Sequence, residues 1–147
     1  MSQMTLQTLI EDSRQAAIYH LPPAALAPVK EAAKAAGFAC FELALDDHGE
    51  IPAVLTQLGR GLGFPAWYGN NLDALKDCLS DLSWCKAAGY LLIISGTRTL
   101  QAANSAALGT LNEVFAAVID EWRAQGVPMW VFYDLRVDGL ATFPTPA

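Results

Sequence analysis

The run Tyr90-Leu91-Leu92-Ile93-Ile94-Ser95, closed at its two ends by Gly89 and Gly96, constrains this chain more than any other stretch. It is apolar without alternation, so as a strand it has no face to offer to water and belongs inside a sheet covered on both sides. A last strand, from Met129 to Tyr133, follows Gly126, and between the two lies a helical run from about Ser105 to Gln125. Strands joined through a helix pair in parallel by a right-handed crossover, with the helix packed on the sheet.

The earlier part of the chain repeats the alternation. Met4 to Ser13 has helical spacing through Leu6, Leu9 and Ile10, and Ala16 to Leu21 is a strand stopped by Pro22-Pro23. Ala24 to Ala36 is a helix closed by Gly37, Phe38 to Leu45 a strand, and Asp46-Asp47-His48-Gly49 a turn. Ile51 to Leu62 is helical again, with Gly59, Gly61 and Gly63 expected to fray its end. The fold class is therefore α/β, a mostly parallel three- or four-stranded sheet flanked by helices. At 147 residues the chain has room for one domain, and a hydrophobic share of 53% against 16% charged residues excludes intrinsic disorder. The tail with Pro144 and Pro146 is expected to fray.

No apolar run approaches the roughly 18–20 residues of a bilayer-spanning helix, so no membrane partner is expected. Met1 to Gln15 has no basic region leading into an apolar stretch, which argues against a secretory signal and for a cytoplasmic location. Cys40, Cys78 and Cys85 are an odd set without framework spacing, read as free thiols in a reducing compartment. Fifteen acidic against nine basic residues give a net charge of -6. Such a chain repels phosphate backbones, which excludes direct nucleic-acid binding and favours a basic partner.

The acidic charge is organised in one place. After Trp67-Tyr68-Gly69, either Asn70 or Asn71 can cap a new helix. On that helix Leu72, Leu75, Cys78, Leu79 and Leu82 share one side, and Asp73, Asp77 and Asp81 form a row on the other. A charge run is ordinarily a solvated helix face. Two details weigh against that here. Like charges one turn apart cost the helix roughly 0.2–0.5 kcal/mol per pair, and Asp81 faces the negative end of the helix dipole. Asp is also a poorer helix former than Glu. The row suits a cationic partner better than it suits the helix. Trp67 and Tyr68 stand at the loop-to-helix junction and are residue types that anchor interfaces, Trp67 read as the more exposed and Tyr68 as partly buried.

The block Pro65-Ala66-Trp67-Tyr68-Gly69-Asn70-Asn71-Leu72-Asp73-Ala74-Leu75-Lys76-Asp77-Cys78-Leu79 resembles the signature of the barstar family. The strand Tyr90 to Ser95, the helix with Val114-Phe115, Gly126 and the last strand follow in the family's order. The resemblance covers roughly Phe38 to Asp134. Residues 1–37 stand as a helix-strand-helix extension and 135–147 as a tail, within one domain spanning 1–147. It implies a parallel sheet with flanking helices, and an immunity-type inhibitor of a basic, guanyl-specific ribonuclease such as barnase. By position it implies that Asp77 enters the nuclease's phosphate site, that Asp73 makes a flanking acidic contact and that Trp67 makes an aromatic one. The family's interface glutamate falls on Glu121 counting back from Gly126, or on Ala117 counting forward from Phe115. Lys76 stands where barstar itself has a tryptophan and brings a positive charge to the face. The partner-binding set is then Asp77, Asp73, Trp67, Tyr68, Gly69, Asn71, Lys76, Asp81 and Glu121. The alternative is a barstar-like module for a different basic protein or toxin.

A small enzyme is the rival class. His20 beside the prolines and His48 in a turn read as ordinary surface histidines, and Cys78 on the apolar helix side as a buried structural thiol. Gly59-Arg60-Gly61-Leu62-Gly63 follows a helix rather than a strand, against a phosphate loop. Aspartates on successive turns of one helix splay apart and do not surround a metal ion, and Cys78 and Cys85 have no further ligands to complete a zinc set. No catalytic residue, metal or cofactor is expected.

Overall fold

The computed structural model describes residues 5–46, 48–64, 71–83, 85–134 and 140–143. The long helix pattern and the apolar strands resolve into six α-helices, a 3-10 turn and four strands among these residues. Helix α1 (Leu6–Glu11) begins at Thr5, whose side chain accepts the Thr8 N–H, so it is shorter than its apolar spacing predicts. A 3-10 turn, Ser13–Gln15, leads into β1 (Ile18–His20). Helix α2 (Pro23–Ala35) starts on a proline whose fixed φ suits the first turn, and Gly37 at φ 77° ends it. Strand β2 (Ala39–Ala44) follows.

Helix α3 (Ile51–Leu62) corrects one expectation. Its glycines do not fray it. Gly59 is buried, and a Cβ on Gly61 would sit 2.4 Å from Leu43 Cδ2, so Gly61 lets the helix lie close on β2. Gly63 at φ 68° closes the helix cleanly in the left-handed conformation.

Helix α4 (Leu72–Asp81), β3 (Tyr90–Ser95), α5 (Arg98–Ala103), α6 (Ser105–Ala124) and β4 (Met129–Tyr133) complete the order. The sheet is parallel throughout, in the order β1-β4-β3-β2. Register fixes its two faces. On one, Tyr90 packs against Trp122 of α6, and Tyr133 donates to Asn112 of α6. Burial drives the Tyr133 hydroxyl far above its ordinary pKa, so it stays a neutral donor. On the other face, Tyr19, Trp130, Phe132 and Phe143 form one aromatic cluster, and Trp130 Nε1 donates to the Ile10 carbonyl of α1 at 2.8 Å. Lys30 of α2 reaches Glu42 of β2 on this face at 3.0 Å.

Residues 5–37 therefore add a strand to the edge of the sheet and a helical layer to its second face. Arg123 at the end of α6 holds them from the other side, with Nη2 donating to the Ala16 carbonyl at 2.7 Å. Phe143 is buried at 2% exposure, and its N–H donates to the His20 carbonyl at 2.8 Å. Thr142 pairs with His20 beside β1, so the tail is tied to the sheet as far as this point. Pro144 and Pro146 lie outside the described residues.

Candidate protein-binding face

Asn71 caps α4, its side chain accepting the Ala74 N–H at 2.7 Å. This resolves the two candidate caps in favour of Asn71. From that start, Leu75, Cys78 and Leu79 turn inward and are fully buried, with Leu72 partly so. Asp73, Asp77 and Asp81 are exposed. Burial raises the Cys78 thiol above its ordinary pKa, and Asp77 and Asp81 push it the same way. A thiol held protonated and sealed from solvent makes a poor nucleophile.

What fixes the orientation of this helix is a buried tryptophan. Trp122 of α6 donates its indole N–H to the carbonyl of Leu79 at 2.8 Å. Leu79 lies in the last turn of α4, where carbonyls run out of helical donors. The chain leaves the helix at Leu82 in a left-handed conformation, φ 42°, with that side chain fully buried.

The Trp122 anchor brings the residue before it, Glu121, onto the seam between α4 and α6. Ser80 donates its hydroxyl to Glu121 Oε2, and Lys76 Nζ lies 3.7 Å from Glu121 Oε1. Glu121, one of the two positions to which counting along the sequence assigns the family's glutamate, thus contacts α4 through Ser80 and Lys76. The Ser80 contact was not anticipated. Its only trace in the sequence is its spacing one turn after Lys76, on the flank of α4 that faces α6. Trp67, Tyr68 and Gly69 lie outside the described residues.

Among the described residues no group of three His, Cys, Asp or Glu side chains gathers to hold a metal ion. His20 Nδ1 meets the Thr142 hydroxyl at 3.4 Å in a structural contact between β1 and the tail. No helix among the described residues is long and apolar enough to cross a membrane.

The family model described as Barstar (barnase inhibitor) matches residues 38–134, from just before β2 to just after β4. The chain belongs to the barstar family. The match starts where the N-terminal helix-strand-helix segment ends, and it contains α4 and Glu121. That description names the family for an inhibitor of barnase. No curated protein matches the chain.

Proposed function

We propose that this chain blocks the active site of a basic ribonuclease with the acidic face of α4, as an immunity-type inhibitor working in the cytoplasm and without chemistry of its own. The carrying observation is the division of α4 into a buried apolar side and an exposed row of Asp73, Asp77 and Asp81. Carboxylates held on a rigid helix imitate the phosphates that a ribonuclease's arginines, lysines and histidines bind. Asp77, central in the row, fills the phosphate site, Asp73 and Asp81 flank it, and Glu121 extends the face onto α6. Asn71 borders it as the cap at the start of the helix, and Trp67, Tyr68 and Gly69, which precede it in the sequence, are included in the proposed contact.

Opposite net charges speed the encounter and make association fall with salt, while desolvated carboxylate–guanidinium contacts slow dissociation. Residues 1–37 belong to the same folded domain in this reading, because β1 pairs with β4 and α1 accepts the Trp130 hydrogen bond. Among the described residues, α1 and α2 lie on the face of the sheet opposite α6.

The test replaces Asp77 with alanine and measures inhibition of a basic ribonuclease. Asp77 is exposed, so folding should be unaffected, and affinity should fall by about 2–5 kcal/mol. Unchanged inhibition overturns the assignment. One observation favours a second reading, in which the partner is a basic protein or toxin other than a barnase-type nuclease: the cation of Lys76 stands within the acidic face. A pull-down with wild-type protein beside an Asp73→Ala, Asp77→Ala variant separates the two, because the protein lost from the variant is the partner.

A further inference from the structure

The acidic face carries one cation in its midst. Lys76 reaches across the seam to α6, where among the described residues it pairs with the Glu121 carboxylate, whose second oxygen is held by Ser80. The side chains of Lys76 and Glu121 are each 46% exposed, so the pair lies where a partner would land. A half-exposed ion pair of this kind adds little to folding. The α4–α6 seam is already fixed by the Trp122 hydrogen bond and by buried Leu75 and Leu79. The effect of Lys76 is on the electrostatic field. It cancels the charge of Glu121 and places an ammonium beside Asp77, so the face shows a partner three aspartates along one edge and a neutralised pair along the other.

We propose that Lys76 determines partner specificity: it selects a protein that sets an acidic group against it, beside the cationic pocket that takes Asp73 and Asp77, and it disfavours nucleases that are basic across the whole contact. The proposal rests on the reading of α4 as the inhibitory face. The physical reason is that discrimination between related partners comes from introduced repulsion as much as from attraction. A partner that is basic throughout meets Lys76 as a like charge and finds Glu121 already engaged. One with a carboxylate at that point satisfies Lys76 and releases Glu121 to its own cations.

The probe is barnase, the ribonuclease in the family's description. Its affinity is measured at about 0.05 M and about 0.5 M salt for the wild type, Lys76→Met, Glu121→Gln, the double variant, Asp77→Ala, and Lys76→Met with Asp77→Ala. Methionine keeps most of the aliphatic stem without the charge. Lys76→Met should tighten barnase binding about tenfold at low salt, with a smaller gain at high salt. Glu121→Gln should weaken it by a similar factor, and the double variant should return close to wild type, since the pair is net neutral. No gain from Lys76→Met overturns the specificity proposal, whether or not the wild type binds. An affinity unchanged by Asp77→Ala in both backgrounds instead overturns the acidic-face reading, because binding would then lie elsewhere. Thermal melts of each variant should match the wild type, as expected at exposed positions.

Discussion

Replacing Trp122 with phenylalanine tests whether one hydrogen bond sets the attitude of α4. In the native chain the indole N–H reaches the Leu79 carbonyl at 2.8 Å, and Trp122 itself is only 9% exposed. Phenylalanine keeps an aromatic ring against Tyr90 but removes the donor. The bond itself contributes about 0.5–1.5 kcal/mol net, and a buried carbonyl left without a partner costs about 1–3 kcal/mol. Leu79 is fully buried in the last helical turn, so neither water nor the helix readily replaces the lost donor. The expected destabilisation is about 2 kcal/mol, to which the smaller ring adds a further packing loss. With a urea m-value of about 2 kcal/mol/M, the unfolding midpoint falls by about 1 M at unchanged m. Urea titration followed by far-UV circular dichroism reads this directly. A midpoint shift below about 0.3 M, under the same m-value, would refute the claim that the indole N–H anchors the helix. The same variant loosens the placement of Glu121 beside Lys76 and Ser80, so any partner affinity should fall with stability.

Two glycines should respond in opposite directions. Gly63→Ala places a side chain at φ 68° with nothing within 4 Å to relieve or worsen it, so backbone strain alone should cost about 1–2 kcal/mol. Gly109→Ala lies inside α6 facing open space and should stabilise by about 0.8–1 kcal/mol in the same thermal or urea assay. Asp12, which caps the 3-10 turn, has its carboxyl lowered from 3.8 to about 2, first by the hydrogen bond from the Arg14 side chain, with burial opposing and the Arg14 N–H and Gln15 amide assisting. A depressed carboxyl stabilises the fold above its ordinary value, and that contribution is lost as the pH falls toward 2. Carboxyl NMR should give Asp12 a midpoint near 2, and Arg14→Ala should return it toward 3.8; a midpoint unmoved by that substitution refutes the pairing.

The elements easiest to read were those whose ends are marked by residues with a single conformational meaning. Strands Tyr90–Ser95 and Met129–Tyr133 occur with the boundaries their unbroken apolar runs predict, and helix Ile51–Leu62 occurs over the span of its apolar spacing although its glycines were expected to fray its end. Helix α5 gave no such signal. Its six residues include one buried apolar side chain, Leu100, and periodicity needs more than that to register. The role of Gly61 was equally hidden, because its use depends on Leu43 of a neighbouring strand rather than on any local pattern. At the candidate face, the helix wheel separated the aspartates of α4 from its leucines. The family's glutamate was ambiguous because counts from Gly126 and from Phe115 fall on different residues, and the contact of Glu121 with Ser80 depends on how α6 lies against α4, which Trp122 helps to fix across the seam. Sequence spacing describes one helix at a time, and this face is made by two.

The neighbour of β1 in the sheet is β4, with Ile18 registered against Val131. A ribosome making this chain therefore finishes the first strand long before its partner exists. At about 5–20 residues per second, roughly 5–20 seconds of synthesis separate the two. During that interval α1 has no Trp130 indole to bond, and β3 waits with an open edge for β4. The acidic helix and its leucine side emerge in the same window, before the α6 that will carry Trp122 and Glu121. Any activity of the α4 face would thus begin only once the last strand is in place, and a truncation that removes β4 should leave both the N-terminal layer and that face without a scaffold.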